Sequence, residues 1–137
     1  MKLSLKVEYA CQVLAQLGRT VNSSELPHID DLAKAESIPS NYLVQILNEL
    51  RTAGLITSKR GKQGGYALAR QPAEISIYDI MKAVEGEVLA HSPSGNGDSS
   101  METAGVWDEI SGKFAELLKS YSVHDCMPAS QEDMWYI

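Results

Sequence analysis

The chain has 137 residues, 44% of them hydrophobic, and a formal net charge of −6 from 12 Lys/Arg and 18 Asp/Glu. That describes one domain, or a small domain with an extension, with enough apolar residues for a core. No run of about 18 apolar residues exists, which argues against a membrane span. The apolar positions of the opening MKLSLKVEYACQVLAQLG are interrupted by Lys6, Glu8 and Gln12, unlike a secretory leader, so a cytoplasmic protein with no membrane partner is expected. Two cysteines, Cys11 and Cys126, build neither a disulfide framework nor a zinc site alone.

In chain order, Leu3 to Leu17 places Ala10, Val13, Leu14 and Leu17 on one face, the spacing of an amphipathic helix that Gly18 stops. Asn22 to His28 reads as loop. Ile29 to Glu36 reads as a short helix, with Asp30 and Asp31 suited to its N-terminal dipole and Ile29, Leu32 and Ala33 facing inward. After the turn Glu36-Ser37-Ile38-Pro39, with Pro39 in the first helical turn, Tyr42, Leu43, Ile46, Leu47 and Leu50 predict a second helix. It closes at Ala53-Gly54, with glycine as C-cap. Two helices across a tight turn form a helix-turn-helix whose second member is the recognition helix.

Arg51 to Tyr66, RTAGLITSKRGKQGGY, follows directly. It holds Arg51, Lys59, Arg60 and Lys62 and no acid, in a chain of net charge −6. A local charge opposing the global one points to a polyanionic ligand. Leu55 to Ser58 predicts a strand, Arg60 to Gly65 a glycine-rich turn, and Tyr66 to Leu68 the returning strand. Helix followed by basic hairpin is how a winged helix-turn-helix meets DNA. Ser76 then reads as the N-cap of a helix carrying Ile77, Ile80, Met81 and Val84, ending at Gly86. His91 to Glu102, HSPSGNGDSSME, predicts a loop. Trp107, Ile110, Phe114, Leu117, Leu118 and Tyr121 follow helical spacing. This last helix comes after the compact unit is complete, so its stripe is expected to be a dimer seam; the alternative is packing back on the first helix. Charge divides similarly: residues 1–71 hold nine Lys/Arg against six Asp/Glu, and 72–137 hold three against twelve. A basic front and an acidic back suit DNA contact and self-pairing respectively.

The site residues follow from this layout. Arg51, Lys59 and Lys62 suit phosphates, and Arg60 suits phosphate or a narrow minor groove. Gln63 would reach a base edge or phosphate, Gly64 and Gly65 would allow close backbone approach, and Tyr66 would anchor the wing. Ser40, Asn41, Tyr42 and Gln45, at the start of the recognition helix, would read bases or bond phosphate. Tyr42 alternatively packs partly into the core, and Ser40 alternatively caps the helix. Lys2 and Lys6 would touch the DNA backbone. His28, His91 and His124 have no metal-ligand or triad spacing, so neither an enzyme nor a metal site is expected. Two other readings stay open: a winged-helix protein-interaction module, and a thiol-based redox sensor using Cys126.

The segments LSLKVEYA, PSNYLVQILNELRTAGLITSKRG, QGGYALAR and ISIYDIMKAVEG occur in this order. With them the chain resembles the Rrf2 family of bacterial transcriptional regulators over residues 1 to about 127. The resemblance implies a mainly α fold with a small β-hairpin wing. It also implies a long C-terminal dimerisation helix and a homodimer on a pseudo-palindromic operator, and regulators of this shape mostly repress by occlusion. The expected division is a winged helix-turn-helix domain at 1–86, a loop at 87–105, a dimerisation helix and short terminal helix at 106–127, and a tail at 128–137. Many family members hold an iron–sulfur cluster on three cysteines in the loop; this chain has none there, so no cofactor is expected. The cysteine-free loop and the ending Met134-Trp135-Tyr136-Ile137 resemble the CymR-type branch, which represses genes of cysteine metabolism. That implies cysteine synthase as a partner, bound through Trp135, Tyr136 and Ile137. The alternative is that this aromatic tail docks on the dimer itself.

Overall fold

The computed structural model describes residues 2–62, 64–90 and 95–129. Ser4 opens α1 (Leu5–Gly18), its hydroxyl accepting from the Val7 amide at 3.2 Å. The helix thus starts at Leu5 and not Leu3, because apolar spacing registers Leu3 whereas the cap decides the boundary. α2 (Ile29–Glu36) and α3 (Ser40–Thr52) follow as expected, joined by a turn in which Ser37 takes φ 54°. Pro39 stands at the cap position, outside the helix, and its carbonyl accepts from Tyr42 and Leu43. Ser40 is therefore the first residue inside α3 and does not cap it. Gly54, at φ 77°, ends the helix in the left-handed conformation.

The core is the meeting of these helices. Val7, Ala10, Val13, Leu14 and Leu17 of α1 pack with Leu32 of α2 and with Leu43, Ile46, Leu47 and Leu50 of α3, all essentially without solvent contact. The wing is a two-stranded antiparallel sheet, β1 (Ile56–Lys59) with β2 (Gly65–Leu68), in the register Ile56 to Leu68 and Lys59 to Gly65. A 3-10 turn at Pro72–Glu74 leads to α4 (Ile77–Glu85), which adds Ile80 and Val84 to the core. Ser76 caps α4 as expected. Its hydroxyl accepts from the Asp79 amide while its own amide donates to the Asp79 carboxylate, a reciprocal capping box.

α5 (Ser100–Lys119) is the longest element and has no buried residue. It starts earlier than expected: Ser100 to Gly105, read as loop, are its first turns. That stretch lacks an apolar stripe, yet Met, Glu and Ala are strong helix formers, and propensity outweighs the missing period. Beyond α5 the chain returns to the core. Val123 opens a 3-10 turn (Val123–Cys126), is fully buried, and donates its amide to the Ile75 carbonyl at 2.9 Å. The Tyr121 carbonyl accepts from Ile77, also at 2.9 Å, and the Met127 side chain packs against Gly18. The end of the 106–127 segment is thus part of the 1–86 core. No helix among the described residues is long and apolar enough to cross a membrane.

Candidate nucleic-acid interface

The wing is rooted by Leu55 and Ile56, both buried, and its base is closed by the Ala69 amide donating to the Leu55 carbonyl. From Thr57 outward it leaves the core. Lys59, Arg60 and Lys62 are exposed at the tip, and among the described residues none of them meets a carboxylate. Gly61, at φ 97°, turns the chain, and the Gly64 amide closes the turn on the Gly61 carbonyl at 2.9 Å. Gly64 and Gly65 are buried, so their close approach is to the protein. A Cβ on Gly64 would collide with the Lys59 carbonyl. One on Gly65, at φ 137°, would stand 2.6 Å from the Pro27 carbonyl oxygen. Beside it the Tyr66 amide donates to that carbonyl at 2.9 Å, and the half-buried ring packs on the core. Tyr66 anchors the wing; Gly65 makes that docking possible, and Gly64 makes the tight turn possible. Gln63 lies outside the described residues.

On α3, Ser40, Asn41 and Gln45 are exposed, and Tyr42 is half-buried. The Tyr42 ring meets Tyr9 of α1 edge-on, with centroids 5.6 Å apart, so the packing role is realised. Two residues on this outward face went unread: Val44, 46% exposed, and Asn48. Their spacing from Asn41 puts them on the same face. Arg51 is exposed and donates to the Asn48 side chain at 3.3 Å.

The two N-terminal lysines fare differently from the wing. The Lys6 ammonium lies 2.7 Å from Glu49, the side chains only 19% and 30% exposed. The pair ties α1 to α3, and Lys6 is engaged within the protein. Lys2 is exposed on another face, lining a cleft of about 430 Å³ with Leu3, Ser4, Val7, Met81, Glu85 and Phe114. The Ser4 hydroxyl donates to the Glu85 carboxylate there, at 2.5 Å.

On α5, Trp107, Ile110 and Leu117 are 40–54% exposed, while Phe114 and Leu118 are half-buried; Tyr121, expected on the same helix, lies just past its end and is also exposed. The Lys119 ammonium sits 4.6 Å from the Tyr78 ring centre and fixes α5 to α4. The thiols are poorly suited to reactivity. Burial, then the nearby Cys126 and Glu8, push the Cys11 thiol up to about 12. Partial burial and Asp125 raise that of Cys126. Both shifts disfavour the reactive thiolate.

The model of the Rrf2 family, described as iron-dependent transcriptional regulators, matches residues 3–129. The chain belongs to the Rrf2 family. An HTH-type transcriptional regulator of Mycobacterium tuberculosis is 38% identical over 130 residues, covering 91% of this chain and 80% of that protein. IscR of Aliivibrio salmonicida is 30% identical over 131 residues, covering 93% and 77%. Among solved structures, CymR of B. subtilis, a global cysteine regulator, superposes with a TM-score of 0.77 at 26% identity, covering 92% of this chain and 95% of that one. T. potens IscR superposes with a TM-score of 0.73 at 30% identity, covering 92% and 85%. The chain is therefore a winged-helix, DNA-binding transcriptional regulator, and the relatives named are regulators, not enzymes.

The family's description invokes iron, and the donor set here does not fit an iron–sulfur centre. Residues 87–105 contain no cysteine, and the two thiols of the chain lie on α1 and in the turn after α5. Such a cluster needs several converging thiolates, and no trio of His, Cys, Asp or Glu converges among the described residues.

Proposed function

We propose that this protein is a homodimeric, sequence-specific repressor that occupies a pseudo-palindromic operator in the bacterial cytoplasm, with no iron–sulfur cluster. The observation that carries the reading is the wing tip. Three cations project from a buried root, unmet by any carboxylate among the described residues, next to an uncharged outward face of α3. Lys59, Arg60 and Lys62 supply counterion-releasing phosphate contacts with Arg51, while Ser40, Asn41 and Gln45 of α3 face the major groove. The unburied stripe of α5 supports dimerisation: a second copy laid on Trp107, Ile110 and Leu117, and on Tyr121 just beyond the helix, removes them from water. Two-fold symmetry then puts two recognition helices about one helical turn of DNA apart.

Fluorescence anisotropy with a selected duplex over a range of salt tests this. The expected result is binding whose affinity falls steeply with salt, at a stoichiometry of two chains per duplex. No binding to any duplex at low salt would favour a protein-interaction module instead.

A second, narrower reading is control of cysteine metabolism, supported by the likeness to B. subtilis CymR and by the cysteine-free segment 87–105. Its partner would be cysteine synthase, taken through Trp135, Tyr136 and Ile137, which lie outside the described residues. Binding to purified cysteine synthase that disappears on removing Ile137 is the expected result; binding indifferent to Ile137 removes the tail from the interface.

A further inference from the structure

The outward face of α3 has a composition that narrows what it can read. Ser40, Asn41, Val44, Gln45 and Asn48 are exposed, while Leu43, Ile46 and Leu47 between them are fully buried. From Ser40 to Asn48 no residue is charged; charge begins at Glu49 and Arg51 and continues in the wing. Val44 is the one apolar side chain on that face, 46% exposed, and its branching at Cβ makes it a weaker helix former than the residues that usually fill such a position. A singly exposed valine needs no explanation in itself. The setting supplies one: one turn from Asn41, next to Gln45, on the face the proposed function gives to the major groove.

Base-edge chemistry makes the choice. Guanine presents two acceptors that call for arginine or lysine, and cytosine presents a donor that calls for a carboxylate. Between Ser40 and Asn48 this face has neither; Arg51 stands at the far end of the helix, on Asn48. Adenine's acceptor–donor pair matches the side-chain amides of Asn41 and Gln45, and thymine alone offers a methyl group to an apolar side chain. Valine has no donor for a phosphate or a base, so its γ-methyls can contribute only by apolar contact.

We infer that Val44 is a specificity residue that packs its γ-methyls on the 5-methyl group of a thymine in each half-site, in a step whose A·T pairs are read by Asn41 and Gln45. The inference rests on α3 entering the major groove. It goes further by naming the base and the atom.

The test uses the full-length protein and a duplex chosen by selection from random sequence. Each thymine is replaced in turn by deoxyuridine, which removes only the methyl group. With the wild-type chain, one thymine per half-site should show an affinity loss of about three- to five-fold, the effect expected for one buried methyl group. Val44→Ala should bind the unmodified duplex with a similar loss and be indifferent to deoxyuridine at that position, since the contact is already gone. Circular dichroism checks that the variant is folded, which its exposed site allows. A deoxyuridine penalty of the same size in Val44→Ala, or no thymine with a penalty in the wild-type chain, overturns the inference and leaves the DNA-binding reading intact. Absence of binding to any duplex at low salt overturns both.

Discussion

The wing and α5 both leave the core with unmet demands, and the demands are of opposite kind. The wing carries exposed cations that pair with no carboxylate among the described residues; α5 carries exposed apolar side chains beside a lysine–carboxylate pair, Lys113 with Glu109. The wing's demand is met by a polyanion and weakened by salt. That of α5 is met by apolar surface and governed by protein concentration. If α5 pairs with a second copy as proposed, a single chain holds two association surfaces that different solution variables can separate.

The largest effect expected is on the α5 side. Leu117→Glu, at a residue 54% exposed in the single chain, should leave the fold intact and shift sedimentation from dimer to monomer. DNA affinity should then fall by about 100-fold as the second half-site contact stops being intramolecular. Unchanged sedimentation would break the comparison. On the wing side, Gly65→Ala forces a side chain into the Pro27 carbonyl at a φ of 137° and should cost about 1–3 kcal/mol of stability, read as a lower Tm. Arg60→Ala should preserve Tm but weaken binding about ten-fold on every sequence and reduce the salt slope by about one. An unaltered slope would remove Arg60 from the phosphate contacts.

The effect that is smallest near neutral pH concerns the ground between the two regions, where the turn after α5 packs on α1. The folded Cys11 thiol sits near 12 against an ordinary 9.0, so the folded state holds its proton more tightly than the unfolded chain does. The stability this supplies is complete below pH 9 and is lost as pH rises toward 12. Tm should decline over that window more steeply in the wild-type chain than in Cys11→Ala; parallel curves would locate the alkaline loss elsewhere.

Much of this was legible in the sequence. The stripe Leu43, Ile46, Leu47, Leu50, the glycine stop at Gly54 and the basic hairpin each follow a local rule, and together they specify the helix-turn-helix and its wing. What escaped had other causes. The Lys6–Glu49 pair joins residues 43 positions apart and exists only because α1 crosses α3, which no local period reveals. Val44 escaped because apolar residues on a helix are assigned inward by default. Gly65 looked like a surface for DNA because the sequence does not show Leu26 and Pro27 lying beneath it, and Gly64 because it does not show the main chain of Lys59 to Gly61 folded against it. The turn at Pro72–Glu74 is too short to have a period.

The main-chain bonds at the end of α5 carry a mechanical consequence. A 20-residue helix is a rod of about 30 Å, and this one is clamped at its C-terminal end by Tyr121 on Ile77 and Val123 on Ile75. A rod held at one end magnifies rotation: a tilt of about 10° at the clamp moves the far end by about 5 Å over that length. In a dimer joined along such rods, the distance between the two DNA-reading helices is geared to the angle at the clamp. On the proposed dimer, the operator spacing would then depend on Ile75, Ile77 and Val123, three apolar residues whose side chains offer no hydrogen bond to any base.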